Sequence, residues 1–377
     1  MPISGPRFGI EEEFFLCDST SRGLLKSFSK EFIDHCHESL GDRVSHELLA
    51  CQLELKTPIA ESPDAASEFM KTGRDKLVKV AAEHGIRIFT AGTHPLAQWR
   101  RQKLSSGSRY DAIHRDFRII ARRNLLCGLH VHVEVPSDID RIWLMNQLME
   151  SLPLLLALSG SSPFWSGQDT GLCSYRQVAY DEWPRTGIPK LFSDEREYRR
   201  YVDILLKTHA IEDESYIWWA IRPSPRFPTL ELRITDACPR LNDSLSLAEI
   251  FRVMVWQHIQ GWYAGIRSAG DPILRLIIEE NRWRAKRFGS AARFINLETD
   301  SEMTAQEALM FLRTRCSLAV EQLGAEWAFE QAAQIAQSGG SAERQRAVYK
   351  HALSERGLSN REALGAVIES LIVETNG

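Results

Sequence analysis

Four short stretches of the chain alternate apolar residues with a small set of chemically active ones. They are F-G-I-E-E-E-F-F-L at 8–16, Q-L-E-L-K-T at 52–57, C-G-L-H-V-H-V-E-V at 127–135 and T-L-E-L-R-I-T at 229–235. Successive side chains of a strand point to opposite faces, so each stretch lays apolar residues on one face and Glu, His, Lys or Arg on the other. Glu11 and Glu13 project together, and adjacent carboxylates repel unless a cation lies between them. Hard divalent cations such as Mg²⁺ take oxygen ligands and are often held jointly with substrate phosphates. Glu12 falls on the apolar face and is expected to be structural, paired with a cation beneath the sheet. His130, His132 and Glu134 share a face at i, i+2, i+4, where imidazoles can ligate metal or hydrogen-bond a substrate. Thr229, Glu231, Arg233 and Thr235 share another, with Glu231 and Arg233 either as site residues or as a salt bridge. Glu54 is the natural site residue of the second stretch, with an ion pair to Lys56 as the plainer alternative, and Gln52 lies on the same face. Glu47 stands an odd number of residues before Glu54, so it reaches the same face only through a bulge or a strand start.

Guanidinium groups match phosphate and carboxylate oxygens by paired hydrogen bonds. Candidates are Arg222, Arg226, Arg282, Arg284 and Arg287, and on a helix Arg284 and Arg287 share a face. Spacing alone leaves Asp236 and the Arg176/Arg185 segment undecided. Each of these patterns is commonplace by itself as a solvated surface or a salt bridge. Their recurrence on four strands points to one sheet whose polar face binds metal and phosphate.

The elements that must hold these residues follow from hydrophobic period. Helical spacing covers Ser29–Leu40, Pro63–His84, Arg109–Arg123 and Ile139–Leu158, then Leu245–Arg267, Pro272–Lys286, Ala305–Gln337, Ala342–Ser354 and Arg361–Val373. Ile86–Ala91 and Ile217–Arg222 are further strand candidates, and Ser338–Ser341 reads as a helix-to-helix turn. The last third is nearly all helix. A parallel sheet covered on both faces would show near-continuous apolar runs, whereas each stretch here has one polar face. The expectation is an α+β fold: an antiparallel sheet, helices on its apolar face and an open charged cavity on the other. No repeat or linker divides the chain, so a single domain over 1–377 is expected, with sheet and site in 1–243 and a helical portion in 244–377.

The 377 residues are 44% hydrophobic and 25% charged, with net charge −4. That balance gives no support for a nucleic-acid or membrane-surface partner. No apolar run reaches the ~18 residues of a membrane span, and Glu11–Glu13 stand where a signal peptide would be apolar, against export. Seven cysteines without C-x-x-C fit reduced thiols in the cytoplasm. The apolar C-terminal helices offer a surface for a homodimer. No P-loop, G-x-G-x-x-G or G-x-S-x-G motif occurs, so a bound nucleotide must be held by metal and arginine.

Gly9–Glu13, Leu53–Pro58 (L-E-L-K-T-P), Ala91–Pro95 (A-G-T-H-P), Cys127–His132 (C-G-L-H-V-H), Ser174–Arg176 (S-Y-R), Thr229–Arg233 (T-L-E-L-R) and Asn281–Ala285 (N-R-W-R-A) together resemble the glutamate–cysteine ligase type 2 family of carboxylate–amine ligases, in family order over nearly the whole chain. The resemblance implies a glutamine-synthetase-like fold whose sheet forms a funnel for ATP and two or three Mg²⁺ ions, with Mn²⁺ as a substitute. It implies Glu11, Glu13, Glu54 and Glu231 as metal ligands, with Glu47 as a companion. His130 would lie near metal and nucleotide, and Arg233 would face the transferring phosphate, supported by Arg284 or Arg222. The implied reaction is ATP-dependent ligation of a small-molecule carboxylate, the glutamate side chain, to an amine such as cysteine, through an acyl phosphate. A phosphotransferase on the same fold and a nucleotide- or metal-binding protein without turnover are the alternatives. Glu134 departs from the family pattern, where a small residue is expected, and so bears on the metal set or the acceptor pocket.

Overall fold

The alternating stretches form strands, and their register decides which carboxylates meet. The computed structural model describes residues 5–265 and 273–377. Its strands are β1 (Phe8–Asp18), β2 (Val44–His46), β3 (Gln52–Lys56), β4 (Ile86–Phe89), β5 (Leu129–Glu134), β6 (Phe164–Trp165), β7 (Gln168–Asp169), β8 (Ile221–Pro223), β9 (Thr229–Leu232), β10 (Arg293–Asn296) and β11 (Ser301–Thr304). Seven of them make one sheet in the order β2-β3-β1-β5-β9-β8, with β4 paired to the end of β1. Every pairing in it is antiparallel, as the one-sided polarity of the strands requires.

β9 stops at Leu232, short of the alternating stretch, and the reason is a change of register. Val131 pairs with Leu232, but three residues earlier Gly128 pairs with Asp236. The 233–235 segment therefore carries one residue more than its partner, a β-bulge of the kind that re-aims a side chain. Arg233 sits in it. Of the expected strand at Ile217–Arg222, only the end joins the sheet, as β8. A 3₁₀ turn at Glu214–Tyr216 precedes it.

The helices are α1 (Lys30–Leu40), α2 (Pro63–Glu83), α3 (Ser108–Phe117), α4 (Ile119–Arg122), α5 (Arg141–Leu148), α6 (Leu152–Ser159), α7 (Tyr175–Tyr180), α8 (Glu195–Lys207), α9 (Leu241–Tyr263), α10 (Leu274–Phe288), α11 (Ala305–Arg315), α12 (Ser317–Leu323), α13 (Glu326–Ser338), α14 (Ser341–Ser354) and α15 (Asn360–Asn376). Ser29 and Ser62 cap α1 and α2, each hydroxyl accepting a backbone N–H three residues on. Three expected helices are interrupted. Arg118, at φ 49°, separates α3 from α4, a 3₁₀ turn at Met149–Ser151 separates α5 from α6, and Cys316 and Gly324 divide the 305–337 segment into α11, α12 and α13. The expected ends at Arg267 and Pro272 lie outside the described residues. Helix α8, whose Tyr198 and Val202 stand one turn apart on its buried face, and the β10–β11 hairpin were not among the expected elements.

Phe8 and Ile10 of β1, Val131 and Val133 of β5 and Leu230 and Leu232 of β9 turn to one face. There they pack with α5, α6, α9 and α13 in the largest core cluster. Phe14, Leu16, Leu53 and Leu55 meet α1 and α2 on the same face. Contrary to the sequence expectation, Arg141–Ser159 is long and apolar enough on composition to cross a membrane. It lies in this core, with Leu144, Met145, Leu148, Leu152 and Leu155 fully buried. The opposite face opens into the cavity. Further along β1, Phe15 and Cys17 join Leu125, Cys127 and α15 in a separate cluster.

Candidate active site

The polar face of the sheet lines a cavity of about 920 Å³, within the usual range for ligand sites. Glu11 and Glu13 reach it from β1, Glu54 and Lys56 from β3, His130, His132 and Glu134 from β5, Arg222 from β8, and Glu231 from β9 with Arg233 just beyond it. Glu47 also enters, because β2 ends at His46 and the chain turns there before β3 begins. The odd spacing from Glu54 is thus absorbed by a turn.

Register brings the donors into three overlapping groups. Glu11, Glu54 and His130 form one, Glu11, His132 and Glu231 a second, and Glu13, Glu47 and Glu54 a third, each with ligand atoms within 4.8 Å of one another. Glu11 Oε2 lies 3.7 Å from His130 Nδ1 and Oε1 lies 3.7 Å from His132 Nε2. Burial opposes the Glu11 charge, but the two imidazoles outweigh it and hold its carboxyl well below the usual range. Glu47 and Glu54 have no such relief. Burial first, then the neighbouring carboxylates, push Glu47 well up and Glu54 to about 8, although Lys56 Nζ stands 2.5 Å from Glu54. Neither ring nitrogen of the buried His130 has a hydrogen-bond partner. Burial, followed by Arg233, lowers the pKa of His130, so the ring is a neutral donor of a lone pair. Clustered carboxylates with unmet charge beside an unpartnered neutral imidazole fit a hard divalent cation such as Mg²⁺ or Mn²⁺.

Cations gather at the β8–β9 end. Arg222 grips Glu231 with Nε at 2.7 Å and Nη2 at 3.2 Å, and Arg233 Nη1 bonds the same carboxylate. Burial would raise the Glu231 pKa, but Arg222, Arg233 and His132 hold it far below the usual range. His132 is raised: burial is overcome by Glu231 and Glu11. Arg233 Nη2 also donates to the Tyr180 hydroxyl at 3.3 Å, and the Arg176 guanidinium lies 5.5 Å over the Tyr180 ring. Arg176 is buried, and its Nη1 donates to the Thr235 carbonyl at 3.1 Å. Gly128 makes this approach possible. A Cβ there would collide with Arg176 Nη2 and stand 2.9 Å from His130 Nε2. Its N–H donates to Glu13 Oε2 at 2.6 Å.

Some sequence expectations are corrected. Arg284 lies outside the cavity lining and bonds Glu280 and Glu302 at 2.9 Å. No residue of α10 lines the cavity. Arg282 is paired with Asp181 and Arg287 with the Gly171 carbonyl. Gln52 is buried against the Leu126 carbonyl. Thr235, re-aimed by the bulge, donates to the Leu129 carbonyl. Asp236 is fully buried and accepts from the Ser162 and Ser174 hydroxyls at 2.6 and 2.8 Å, behind Arg176. Glu134 lines the cavity but is clamped by Arg7 at 2.6 and 2.8 Å. It belongs to none of the donor groups. Tyr180 was missed, although Arg176 and Tyr180 stand one helical turn apart and could have been read as a face. Glu12 is paired beneath the sheet, with Arg74 at 2.7 Å.

Comparison with known proteins supplies the remaining finding. The model of the family described as glutamate-cysteine ligase family 2 matches residues 7–370. A relative from Ectopseudomonas mendocina, provisionally named glutamate–cysteine ligase 2, is 46% identical over 98% of this chain and 96% of its own. One from Pseudomonas entomophila with the same provisional name is 41% identical over 97% and 95%. Among solved structures, a glutamate–cysteine ligase of Francisella tularensis in complex with AMP superposes with a TM-score of 0.73 at 13% identity, covering 99% of this chain and 89% of that one. A bifunctional glutathione synthetase of Pasteurella multocida gives 0.70 at 15% identity, over 99% and 53%. The two structures share the fold.

Proposed function

We propose a function for a chain that belongs to glutamate–cysteine ligase family 2, and is therefore an ATP-dependent carboxylate–amine ligase: it joins the side-chain carboxylate of glutamate to cysteine or another amino compound. One observation carries this reading. Three overlapping carboxylate–imidazole groups lie on the same cavity wall as Arg222 and Arg233, so cation sites and phosphate-binding guanidiniums share one space.

Glu11, Glu13, Glu47, Glu54, His130 and Glu231 are assigned to Mg²⁺. Bound there, it would screen ATP from the substrate carboxylate and draw charge onto the β- and γ-phosphate oxygens. The remaining work falls to the chain. Arg233 and Arg222 orient the γ-phosphoryl group, and Arg233 stabilises charge as it develops in transfer. A substrate carboxylate oxygen bonds to the γ-phosphorus as the bond to ADP breaks. The amine nitrogen then attacks the acyl carbon of the acyl phosphate, the carbon–oxygen bond to phosphate breaks, the amine gives up one proton to the departing phosphate, and the amide remains. His130, neutral and buried, lies beside the nucleotide without adding positive charge. The seven cysteines are free and buried, which fits a reducing compartment, and we place the reaction in the cytoplasm.

The test is to incubate the protein with Mg·ATP and amino acids singly and in pairs, following ADP and phosphate. Release that requires both glutamate and an amine is the expected result. A phosphorylated acceptor without amide would support the phosphotransferase instead, and Mg·ATP binding without release would support a protein lacking turnover.

A further inference from the structure

The cavity-facing carboxylates of β1 flank Glu12, which points the other way. Glu12 is fully buried among the helices. Its Oε2 accepts from Arg74 Nε at 3.0 Å, and its Oε1 accepts from Arg74 Nη2 at 2.7 Å and from the Ser244 hydroxyl at 2.6 Å. Arg74, itself 3% exposed on α2, also donates to the carbonyls of Pro239 at 2.7 Å, Cys238 at 3.1 Å and Thr375 at 3.3 Å. Thr375 makes a second link to β1. Its hydroxyl accepts the Thr90 N–H at 3.1 Å, and the Thr90 hydroxyl donates to the Glu13 carbonyl at 2.7 Å.

We propose that Arg74 and Thr375, both outside the cavity, are positioning residues that fix the rotation of β1 and so the placement of Glu11 and Glu13 for a divalent cation. This rests on the reading of the cavity as a cation site. The physical case has two parts. Side chains at 11 and 13 share a face opposite 12, so a grip on Glu12 and on the Glu13 carbonyl sets where both carboxylates point. That grip acts against a real load, because Glu11, Glu13, Glu47 and Glu54 crowd one wall and like charges push the strands apart. A well-packed apolar pair can usually replace a buried ion pair without loss of stability. Stability therefore does not account for the charges of Glu12 and Arg74, and the guanidinium's remaining donors tie β1 to the 238–239 segment and α15.

Direct Mn²⁺ binding, followed by electron paramagnetic resonance, tests this together with thermal denaturation. The double variant Glu12→Leu/Arg74→Met should remain folded, with a melting temperature lowered by the carbonyls that lose their donor, yet bind Mn²⁺ about tenfold more weakly. Thr375→Val should weaken binding two- to fivefold in the same direction, and Arg74→Lys with Glu12 intact should recover part of the loss. Wild-type Mn²⁺ affinity in Thr375→Val overturns the role of Thr375, and in a folded double variant it overturns the role of Arg74. A double variant that fails to fold overturns the claim that the pair serves placement rather than stability. A wild-type chain that binds no Mn²⁺ overturns the cation reading and this inference with it.

Discussion

Glu13 and Glu54 face each other across one rung of the antiparallel pairing between β1 and β3. Like charges directly opposite on a sheet are destabilising, and here Glu47 completes the same group. The burial of Glu54 and its neighbours' charges push it to about 8. A sheet built for stability alone would not place carboxylates so. The proposed cation, entering between them, would account for the arrangement.

Replacing one of these carboxylates should therefore stabilise the metal-free protein. Glu54→Gln is expected to raise the melting temperature in chelator-treated buffer by a few degrees, in keeping with about 1–2 kcal/mol. Mg²⁺ should raise the melting temperature of wild type and not that of the variant. A variant less stable than wild type, still responding to Mg²⁺, would contradict the account.

Glu11 and Glu231 should behave differently when truncated. Glu11 is touched by imidazoles at 3.7 Å, so Glu11→Ala is expected to abolish ADP formation and leave a folded protein. Glu231 anchors Arg222 and Arg233, and Glu231→Ala leaves both without their carboxylate. Loss of a buried partner costs about 3–5 kcal/mol, so urea denaturation should show a large loss of stability beside the loss of activity. Equal stabilities of the two variants would count against the pairing described here.

How far these roles could be read from the sequence depended on backbone period. The alternation at Glu11, Glu13, His130 and His132 placed these residues correctly, because a strand leaves only two faces. Glu47 was ambiguous because the turn after β2 resets the alternation, and Thr235 was misplaced because the bulge at 233–235 does the same. Arg284 was misassigned for another reason. Helical spacing groups residues into faces, but whether a helix borders the cavity at all is settled by packing between distant segments, and α10 does not. The β10–β11 hairpin was hidden because Arg293–Asn296 and Ser301–Thr304 are too short to show a period.

The correction of Arg284 has a kinetic consequence. With both ion pairs on the outer side of α10, Arg284→Ala should change kcat/KM by less than about twofold. Arg233→Lys keeps the charge but loses the forked geometry and should lower kcat by roughly 10²–10³, as for loss of a transition-state donor. Steady-state kinetics on the two variants separates them, and comparable losses would restore Arg284 to the site.

Acid stability should carry the signature of buried neutral histidines. Burial lowers His94 to about 4, its Nδ1 accepting the N–H groups of Leu96 and Ala97. Burial, then Arg315, lowers His258 to about 4. Both fold with a pKa below the unfolded value near 6.5, so their stabilisation is complete above pH 6.5 and is lost as pH falls toward 4. Each contributes on the order of 3 kcal/mol at most. Urea melts between pH 7 and 4 should show this decline, and His258→Gln should remove about one proton from the number taken up on unfolding. An unchanged proton count would contradict the assignment of His258.

The central claim is that the cavity activates a carboxylate by phosphoryl transfer. Turnover of glutamate labelled with ¹⁸O in its side-chain carboxylate, in the presence of Mg·ATP and the best amine, tests it most directly. An acyl phosphate passes one labelled oxygen to the released phosphate, and mass spectrometry should find one ¹⁸O per phosphate formed. Amide formation with unlabelled phosphate, or with AMP and diphosphate in its place, would contradict the account.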